Sequence, residues 1–384
     1  VLYTSVLQTP ILLLGSLIIL VLGFKELGGW DEMMRVCGAV TVNDYGDTMT
    51  NLIRSNDDAN FPWLGALIGS AIIGFWYWCT DQFIVQRVLS GKNEMEARRG
   101  TIFGAYLKLL PVFLFLIPGM IAFALHQKYI GAGGEGFLPM LANGTANADA
   151  AFPTLVAKLL PAGVKGLVVC GILAALMSSL ASLFNSSAML FTIDFYKRFK
   201  PETPEKKLVG IGQIATIVIV VLGILWIPIM RSVGDVLYTY LQDVQSVLAP
   251  GIAAAFLLGI CWKRTSAQGG MWGLISGMVI GLTRLGAKVY YSNAGEVADS
   301  TFKYLFYDMN WLFFCGWMFL FCIIVVIVVS LATEAPTAEK IQGLVFGTAT
   351  KEQKAATRAS WNHWDIIHTV IILAITAAFY WYFW

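Results

Sequence analysis

The sequence has little charge, and its few cysteines and histidines form none of the patterns that mark metal or redox sites. Charged residues make up 13% of the 384 residues and hydrophobic residues 57%, whereas soluble domains have about 25% and about 45–50%. A net charge of +2 is too small to indicate nucleic acid as a partner. The composition therefore predicts an integral membrane protein whose first partner is the lipid bilayer.

No feature of an enzyme is present either. The six cysteines contain no C-x-x-C pair, and the three histidines have no acid or nucleophile at a telling spacing. No phosphate-binding loop occurs, and no G-x-G-x-x-G motif follows a predicted strand. We therefore expect neither an enzyme, a disulfide framework nor a structural metal site.

The chain lacks an initiating methionine, and it lacks the basic region and cleavage site of a signal peptide. It begins at Val1 almost directly with an apolar segment. We expect an N-terminally incomplete protein, with residues 1–384 forming a single transmembrane domain. Apolar runs of about 20 residues predict nine spans: Thr9–Leu22, Trp63–Ile84, Thr101–Leu125, Lys165–Ile193, Val209–Met230, Tyr238–Trp262, Gly269–Leu285, Trp311–Leu331 and Ile366–Trp384.

Lysine and arginine are concentrated in alternate loops, around residues 85–100, 197–207, 263–264 and 340–358. Basic loops remain in the cytoplasm, so these loops are predicted to be cytoplasmic. The loops at 25–62 and 127–161 are then external, as is the C-terminus. We expect a multi-pass protein of the plasma membrane, or of the inner membrane in a bacterium.

One predicted span carries a row of small and hydroxyl-bearing residues. At about 100° per residue, Ala175, Ser178, Ser179, Ser182 and Ser186 share one arc of a helix, and bulky side chains cover the opposite side. Such a face is typical of a helix-packing seam, in which serines donate back to their own turn. It is also suited to a hard cation, which prefers oxygen ligands.

Polar residues interrupt the apolar pattern in three further places, which in membranes often mark transport pathways. The aromatic run that includes Tyr77 and Trp78 precedes Asp81, an arrangement suited either to sugar stacking or to an interfacial belt. Lys108 precedes Pro111 and either extends to the headgroups or faces a wet cavity.

The third place is a helix face formed by Tyr238, Gln242, Gln245 and Ala249, closed by the Pro-Gly pair at 250–251. We expect the Pro-Gly pair to interrupt the span. A broken helix with amides on one face is a frequent part of transporter sites, although the same face would also suit the wall of an outer vestibule.

At these same residues the chain resembles the sodium/solute symporter family, and within it the sodium/glucose cotransporters. The resemblance extends over nearly the whole chain in family order. Its matching strings are LYTSVLQT (2–9), WYWCTDQFIVQR (76–87), YLKLLP (106–111), LMSSLASLFNSS (176–187), FTIDFY (191–196) and IAAAFLLGICWKR (252–264). It implies an all-α, leucine-transporter-type inverted-repeat fold, in which the nine spans are the last nine of fourteen and the first five are absent.

The resemblance also implies a role for each polar place. The Ala175 carbonyl and the Ser178 and Ser179 hydroxyls correspond to sodium ligands. Their remaining partners are carbonyls of the first core helix, so the chain by itself is expected to be inactive. The resemblance further implies that the sugar is contacted by four side chains: Tyr77, Trp78, Lys108 and Gln242.

Two positions depart from the family pattern. Ser5 replaces the aspartate of the usual Y-T-D string, and Ala181 stands where some members carry a threonine that helps to hold a second sodium. We therefore expect one sodium per sugar.

The function implied is sodium-coupled symport of a hexose such as glucose or galactose by alternating access. The alternatives are a sodium-coupled myo-inositol or polyol symporter and a non-transporting, sodium-linked sugar sensor.

Overall fold

The computed structural model describes residues 2–141, 144–233, 237–294 and 298–383, with side chains given except at 2–8, 229–233 and 293. These ranges are helical, with isolated bridges and no strand among the described elements. The helices before residue 200 are α1 (Leu2–Leu27), α2 (Trp30–Gly38), α3 (Trp63–Cys79), α4 (Gln82–Leu89), α5 (Glu94–Pro111), α6 (Ile117–Gly131), α7 (Ala151–Leu159), α8 (Ala162–Met189) and α9 (Lys197–Phe199). They are followed by α10 (Glu205–Val233), α11 (Leu237–Cys261), α12 (Ala267–Asn293), α13 (Thr301–Lys303), α14 (Trp311–Ala332), α15 (Ala338–Ile341), α16 (Lys351–Ala359) and α17 (His363–Tyr382).

Each of the nine predicted spans coincides with a helix or with consecutive helical segments, but the boundaries differ. Among the described residues, seven helices are long and apolar enough to cross a membrane, and an eighth span is formed if the bent pair α3 and α4 is counted as one. The ninth, α12, has 27 residues but does not meet the same hydropathy criterion, because glycine and polar residues interrupt its apolar stretch.

The span predicted at Trp63–Ile84 is broken. Helix α3 ends at Cys79, and α4 departs from it at an angle of 50°. The Asp81 carboxylate accepts a hydrogen bond from the Phe83 amide (3.0 Å) and so caps α4. The Thr80 hydroxyl donates to the Trp76 carbonyl (2.7 Å) and terminates α3. The polar pair therefore makes the bend.

The proline-rich span is one continuous helix of 38 residues, Glu94–Gly131. Directly after Pro111 the helix widens into π-helical turns at Val112–Leu116. A proline cannot donate to the carbonyl one turn earlier, and a π-bulge accommodates that missing bond without ending the helix.

The predicted interruption of α11 at Pro250-Gly251 is wrong, since the helix continues to Cys261. Both residues are buried. A Cβ on Gly251 would lie 3.3 Å from the Cα of Gly277 in α12. The helix therefore continues through the proline where its backbone packs closely against α12.

The chain forms two compact units, residues 1–51 with 104–229 and residues 52–103 with 230–384. In the first unit, α1, α2, α6, α7 and α8 enclose an apolar core that includes Ile19, Leu27, Ile121 and Leu155. In the second unit, α11, α12 and α14 pack against one another, and α3 packs on α11 and α14.

Glycines at every fourth position of α12 make the packing of the second unit close. They are Gly269, Gly273, Gly277 and Gly281. A Cβ at Gly281 would overlap the carbonyl oxygen of Val247 in α11. Small residues at this spacing let helix backbones approach closely, which compensates for the weak hydropathy of α12.

Contacts between distant loops agree with the predicted alternation of sides. The Leu52 amide of the first loop donates to the carbonyl of Phe383 near the C-terminus (2.8 Å), and both were assigned to the external side. Arg264 donates to the carbonyl of Thr333 (2.7 Å), and both were assigned to the cytoplasmic side. Which side faces the cytoplasm remains a prediction from the basic residues.

Candidate functional site

The hydroxyl face of α8 is buried toward its C-terminal end. Ser182 and Ser186 are buried, whereas Leu173 and Met177 on the opposite side are 55% and 71% exposed. Ser186 donates back to the Ser182 carbonyl (2.9 Å), so one serine satisfies its own turn, as expected for a packing seam. Two turns earlier, Ser178 is half-buried and Ser179 is exposed.

Helix α1 packs along α8 in the antiparallel sense. A Cβ on Gly15 would meet Val168 at 2.5 Å, and one on Gly171 would meet Ile11 at 3.1 Å. Continued at this register, residues 4–8 of α1 lie opposite residues 175–179 of α8. Ser5 is thus level with the predicted sodium ligands, although its side chain lies outside the described part of the structure.

The predicted sugar-stacking residues are at the C-terminal end of α3. Tyr77 is half-buried, and its ring lies edge-on to Trp78 with centroids 5.2 Å apart. Trp78 is 48% exposed. The two aromatic rings thus stand next to the polar bend that ends the helix, with apolar surface beside hydrogen-bonding groups.

Lys108 and Gln242 belong to different units. Lys108 is exposed, in the last turn of α5 before the π-helical segment. Gln242 is half-buried on α11 and donates from its amide to the Tyr238 hydroxyl (2.9 Å). Farther along the same face, Ala249 is fully buried and packs in a cluster with Ile72 of α3. The structure therefore joins the helices that carry Tyr77, Trp78 and Gln242 within the second unit, while Lys108 and the sodium candidates belong to the first.

One polar cluster was not predicted from the sequence. Asp243 lies beside Gln242 but faces the interior, where its carboxylate contacts the Lys288 ammonium (2.6 Å) and the Arg284 guanidinium (3.5 Å). Arg284 is fully buried and also donates to the Met309 carbonyl (2.7 Å). Its guanidinium lies over the ring of Phe314, 4.0 Å from the centroid.

The predicted span Gly269–Leu285 ends before Lys288, whereas α12 extends to Asn293 and carries both cations. The available signal was their spacing. Residues four apart lie on one helix face, and a buried pair of cations needs a carboxylate nearby.

The comparisons with known proteins agree with this architecture. Residues 1–277 match the model of the sodium:solute symporter family. A sodium/mannose cotransporter of Bos taurus is 34% identical over 100% of this chain and 68% of its own length. Sodium/myo-inositol cotransporter 2 of Homo sapiens is 35% identical over 91% of this chain and 53% of its own, and sodium/glucose cotransporter 1 of Ovis aries is 37% identical over 87% and 53%.

Among solved structures, a Na+-coupled sialic acid symporter in a substrate-bound, outward-open state aligns with a TM-score of 0.62 and 22% identity. The alignment covers 87% of this chain and 62% of the symporter. It confirms the predicted leucine-transporter type of fold. The chain spans from about half to two thirds of the length of these relatives. From the family match and the shared fold, the chain belongs to the sodium:solute symporter family.

Proposed function

We propose that the full-length protein imports a hexose such as glucose or galactose together with sodium, across the plasma membrane, by alternating access. The observation that carries the proposal is the row of hydroxyls on one face of α8, buried at Ser182 and Ser186 and packed at close register against α1. Several oxygens on one helix face can serve together as ligands of a hard cation such as sodium.

In this proposal, the Ala175 carbonyl and the Ser178 and Ser179 hydroxyls bind the coupling sodium. Ser178 and Ser179 lie on the arc of α8 that becomes fully buried at Ser182. Hydroxyl and carbonyl oxygens are the ligands that hard cations prefer. Further ligands would come from residues of the full-length protein outside α8.

The sugar would stack on Tyr77 with Trp78 beside it, and its hydroxyls would exchange hydrogen bonds with Lys108 and Gln242. Sugars combine apolar C–H faces with a ring of hydroxyls, so they suit an aromatic surface beside amide and ammonium groups. The Gln242 amide donates to Tyr238 in this structure, which indicates that it is held ready in one orientation.

Sodium supplies the driving force without covalent chemistry. One elementary charge moving through the membrane gains about 2.3 kcal/mol per 100 mV, which corresponds to a concentration ratio of about 50. The sodium gradient adds to this value. One sodium per sugar, as Ser5 and Ala181 suggest, is therefore enough to accumulate a neutral sugar.

The relatives described above are named for mannose, myo-inositol and glucose, and their sequence identities to this chain are similar. A myo-inositol or polyol symporter is thus the nearest alternative. The second alternative is a sugar sensor that passes sodium current without sugar uptake. Accumulation of labelled sugar would exclude it.

A substrate panel on the full-length protein in liposomes tests the proposal. We expect sodium-dependent uptake of glucose or galactose in preference to myo-inositol. Gln242→Ala should raise the KM for sugar, and Ser179→Ala should abolish the sodium dependence. Preference for myo-inositol would replace the hexose by a polyol and leave the sodium assignment in place.

Two matched variants control for general damage. Ser187→Ala removes a hydroxyl from the same helix outside the serine arc, and Gln213→Ala removes an exposed amide from α10. Both should transport like the wild type. If Ser187→Ala lost sodium dependence as fully as Ser179→Ala, the assignment of the sodium site would be wrong.

A further inference from the structure

The second unit contains a groove between α5 and α17. It is open to the surroundings and has a volume of about 500 Å³. Its lining includes the cationic Arg98, the aromatic Trp361 and the apolar side chains Ile102, Ile366 and Val370. We call it the Arg98 groove. Its combination of one cationic end and an apolar trough has the polarity of a phospholipid.

The cationic end is assembled from two distant segments. The Arg98 guanidinium donates to the Ser360 hydroxyl (3.1 Å), 262 residues away in sequence. Within the described residues this is its one hydrogen bond to protein, whereas a guanidinium has five N–H donors in a fixed fork. Arg358 lies over the ring of Trp361, with its guanidinium carbon 5.1 Å from the centroid. Arg358 therefore lies beside Trp361, a residue that lines the groove.

The apolar part faces the surroundings rather than the protein core. Ile366 and Val370 are 51% and 57% exposed, and only 6% of the apolar window of α17 is buried. In a membrane, such a surface is covered by acyl chains. Since Arg98 belongs to a loop predicted to be cytoplasmic, the groove opens toward the leaflet that carries anionic lipids.

We propose that the Arg98 groove binds an anionic phospholipid. The lipid phosphate would accept hydrogen bonds from Arg98 and Arg358, and an acyl chain would lie along Ile102, Ile366 and Val370. Arginine is well suited to this task because its planar fork can donate two parallel bonds to one phosphate. Basic pockets between helices on the cytoplasmic side are known lipid sites.

Asp365 also lines the groove and gives the proposal a sharp internal test. One of its carboxylate oxygens accepts a hydrogen bond from the Asn362 amide (2.8 Å) as part of the cap of α17. Its negative charge nevertheless repels the negative charge of a phosphate. Asparagine keeps an acceptor oxygen for the cap, so Asp365→Asn should strengthen binding of the lipid.

The experiment measures lipid binding by the purified full-length protein in neutral detergent, by native mass spectrometry with phosphatidylglycerol and with phosphatidylcholine. We expect phosphatidylglycerol to bind more tightly. Arg98→Gln should weaken it by about five-fold, the effect of one basic residue near an anionic lipid. Asp365→Asn should tighten it by a similar factor, and Arg98→Lys should restore only part of the affinity, because lysine keeps the charge but not the planar fork.

Arg99→Gln is the matched control, since it removes an exposed neighbouring charge that does not line the groove. A melting curve without lipid shows that each variant is folded. Inorganic phosphate and soluble glycerophosphoglycerol should bind weakly, because they lack the acyl chain. Equal binding of the two lipids, equal loss in Arg98→Gln and Arg99→Gln, or full binding of the soluble headgroup would overturn the proposal.

Discussion

Replacing Asp243 with asparagine should markedly destabilise the bundle of α11, α12 and α14. The carboxylate is the acidic partner of two cations, Lys288 at 2.6 Å and Arg284 at 3.5 Å. Removing one partner of a buried ion pair typically costs 3–5 kcal/mol, since the other charge is left uncompensated. The substitution keeps the size of the side chain, so that its effect is chiefly electrostatic.

The structure favours the lower end of that range, about 3 kcal/mol. Arg284 is fully buried but still has the carbonyls of Leu305 and Met309 and the ring of Phe314 around it. The Lys288 side chain is 21% exposed, so its ammonium can gain water when the carboxylate charge is lost. Arg284 would then be the main source of the cost.

The assay is reversible unfolding in detergent followed by tryptophan fluorescence. Asp299→Asn is the matched control, because Asp299 also contacts a lysine, Lys303, at 2.8 Å but its side chain is 96% exposed. Exposed ion pairs contribute little to stability because water screens them, so Asp299→Asn should leave the unfolding free energy nearly unchanged. The double variant Asp243→Asn/Lys288→Gln should be more stable than Asp243→Asn, since it removes a positive charge that repels the buried Arg284 once the carboxylate no longer lies between them. If Asp243→Asn and Asp299→Asn lowered the unfolding free energy equally, this account of the cluster would be refuted.

Two further predictions concern packing and thiol reactivity. Gly281→Ala should cost about 1–3 kcal/mol, because its Cβ would overlap the Val247 carbonyl, whereas Gly223→Ala has open space and should be neutral or better in the same unfolding assay. Burial raises the pKa of the Cys37 thiol from its usual 9.0 to about 11, which lowers the fraction of reactive thiolate. At pH 8 maleimide should therefore modify Cys37 at least about 100-fold more slowly than a cysteine at the exposed position 39, introduced as Ala39→Cys in a Cys37→Ser background. Comparable rates would show that Cys37 is accessible.

Much of the helical architecture could be predicted because hydrocarbon imposes strong rules on sequence. Apolar runs located helices at all nine predicted spans, of which seven or eight are long and apolar enough to cross a membrane among the described residues. The 100° periodicity separated Ser182 and Ser186, which are buried, from the exposed side of α8 near Met177, but Ser179 on the same arc is exposed. The bend between α3 and α4 was not predicted, because it arises from hydrogen bonds of single polar side chains rather than from the apolar pattern. Asp81 and Thr80 satisfy helix ends by hydrogen bonds that hydropathy does not register.

The errors in α11 and α12 have a different physical origin, which is contact between segments distant in sequence. Pro250 suggested a break because the missing backbone donor of a proline is visible in the local sequence. The packing of Gly251 on Gly277 joins residues far apart in the sequence, so that a local pattern does not reveal it. The pairing of Asp243 with Arg284 depends on the same helix contact. The sodium and sugar residues remain predictions for this reason, because a binding site needs ligands from several helices and spacing within one helix cannot supply them.

The central claim is tested most directly by uptake of labelled glucose into liposomes that contain the full-length protein, with inward gradients of sodium or of potassium. The account predicts accumulation above equilibrium with sodium, none with potassium, and close to one charge moved per sugar. Equilibration that is independent of sodium would contradict coupling through α8. A ratio near two charges per sugar would contradict the single-sodium prediction made from Ser5 and Ala181.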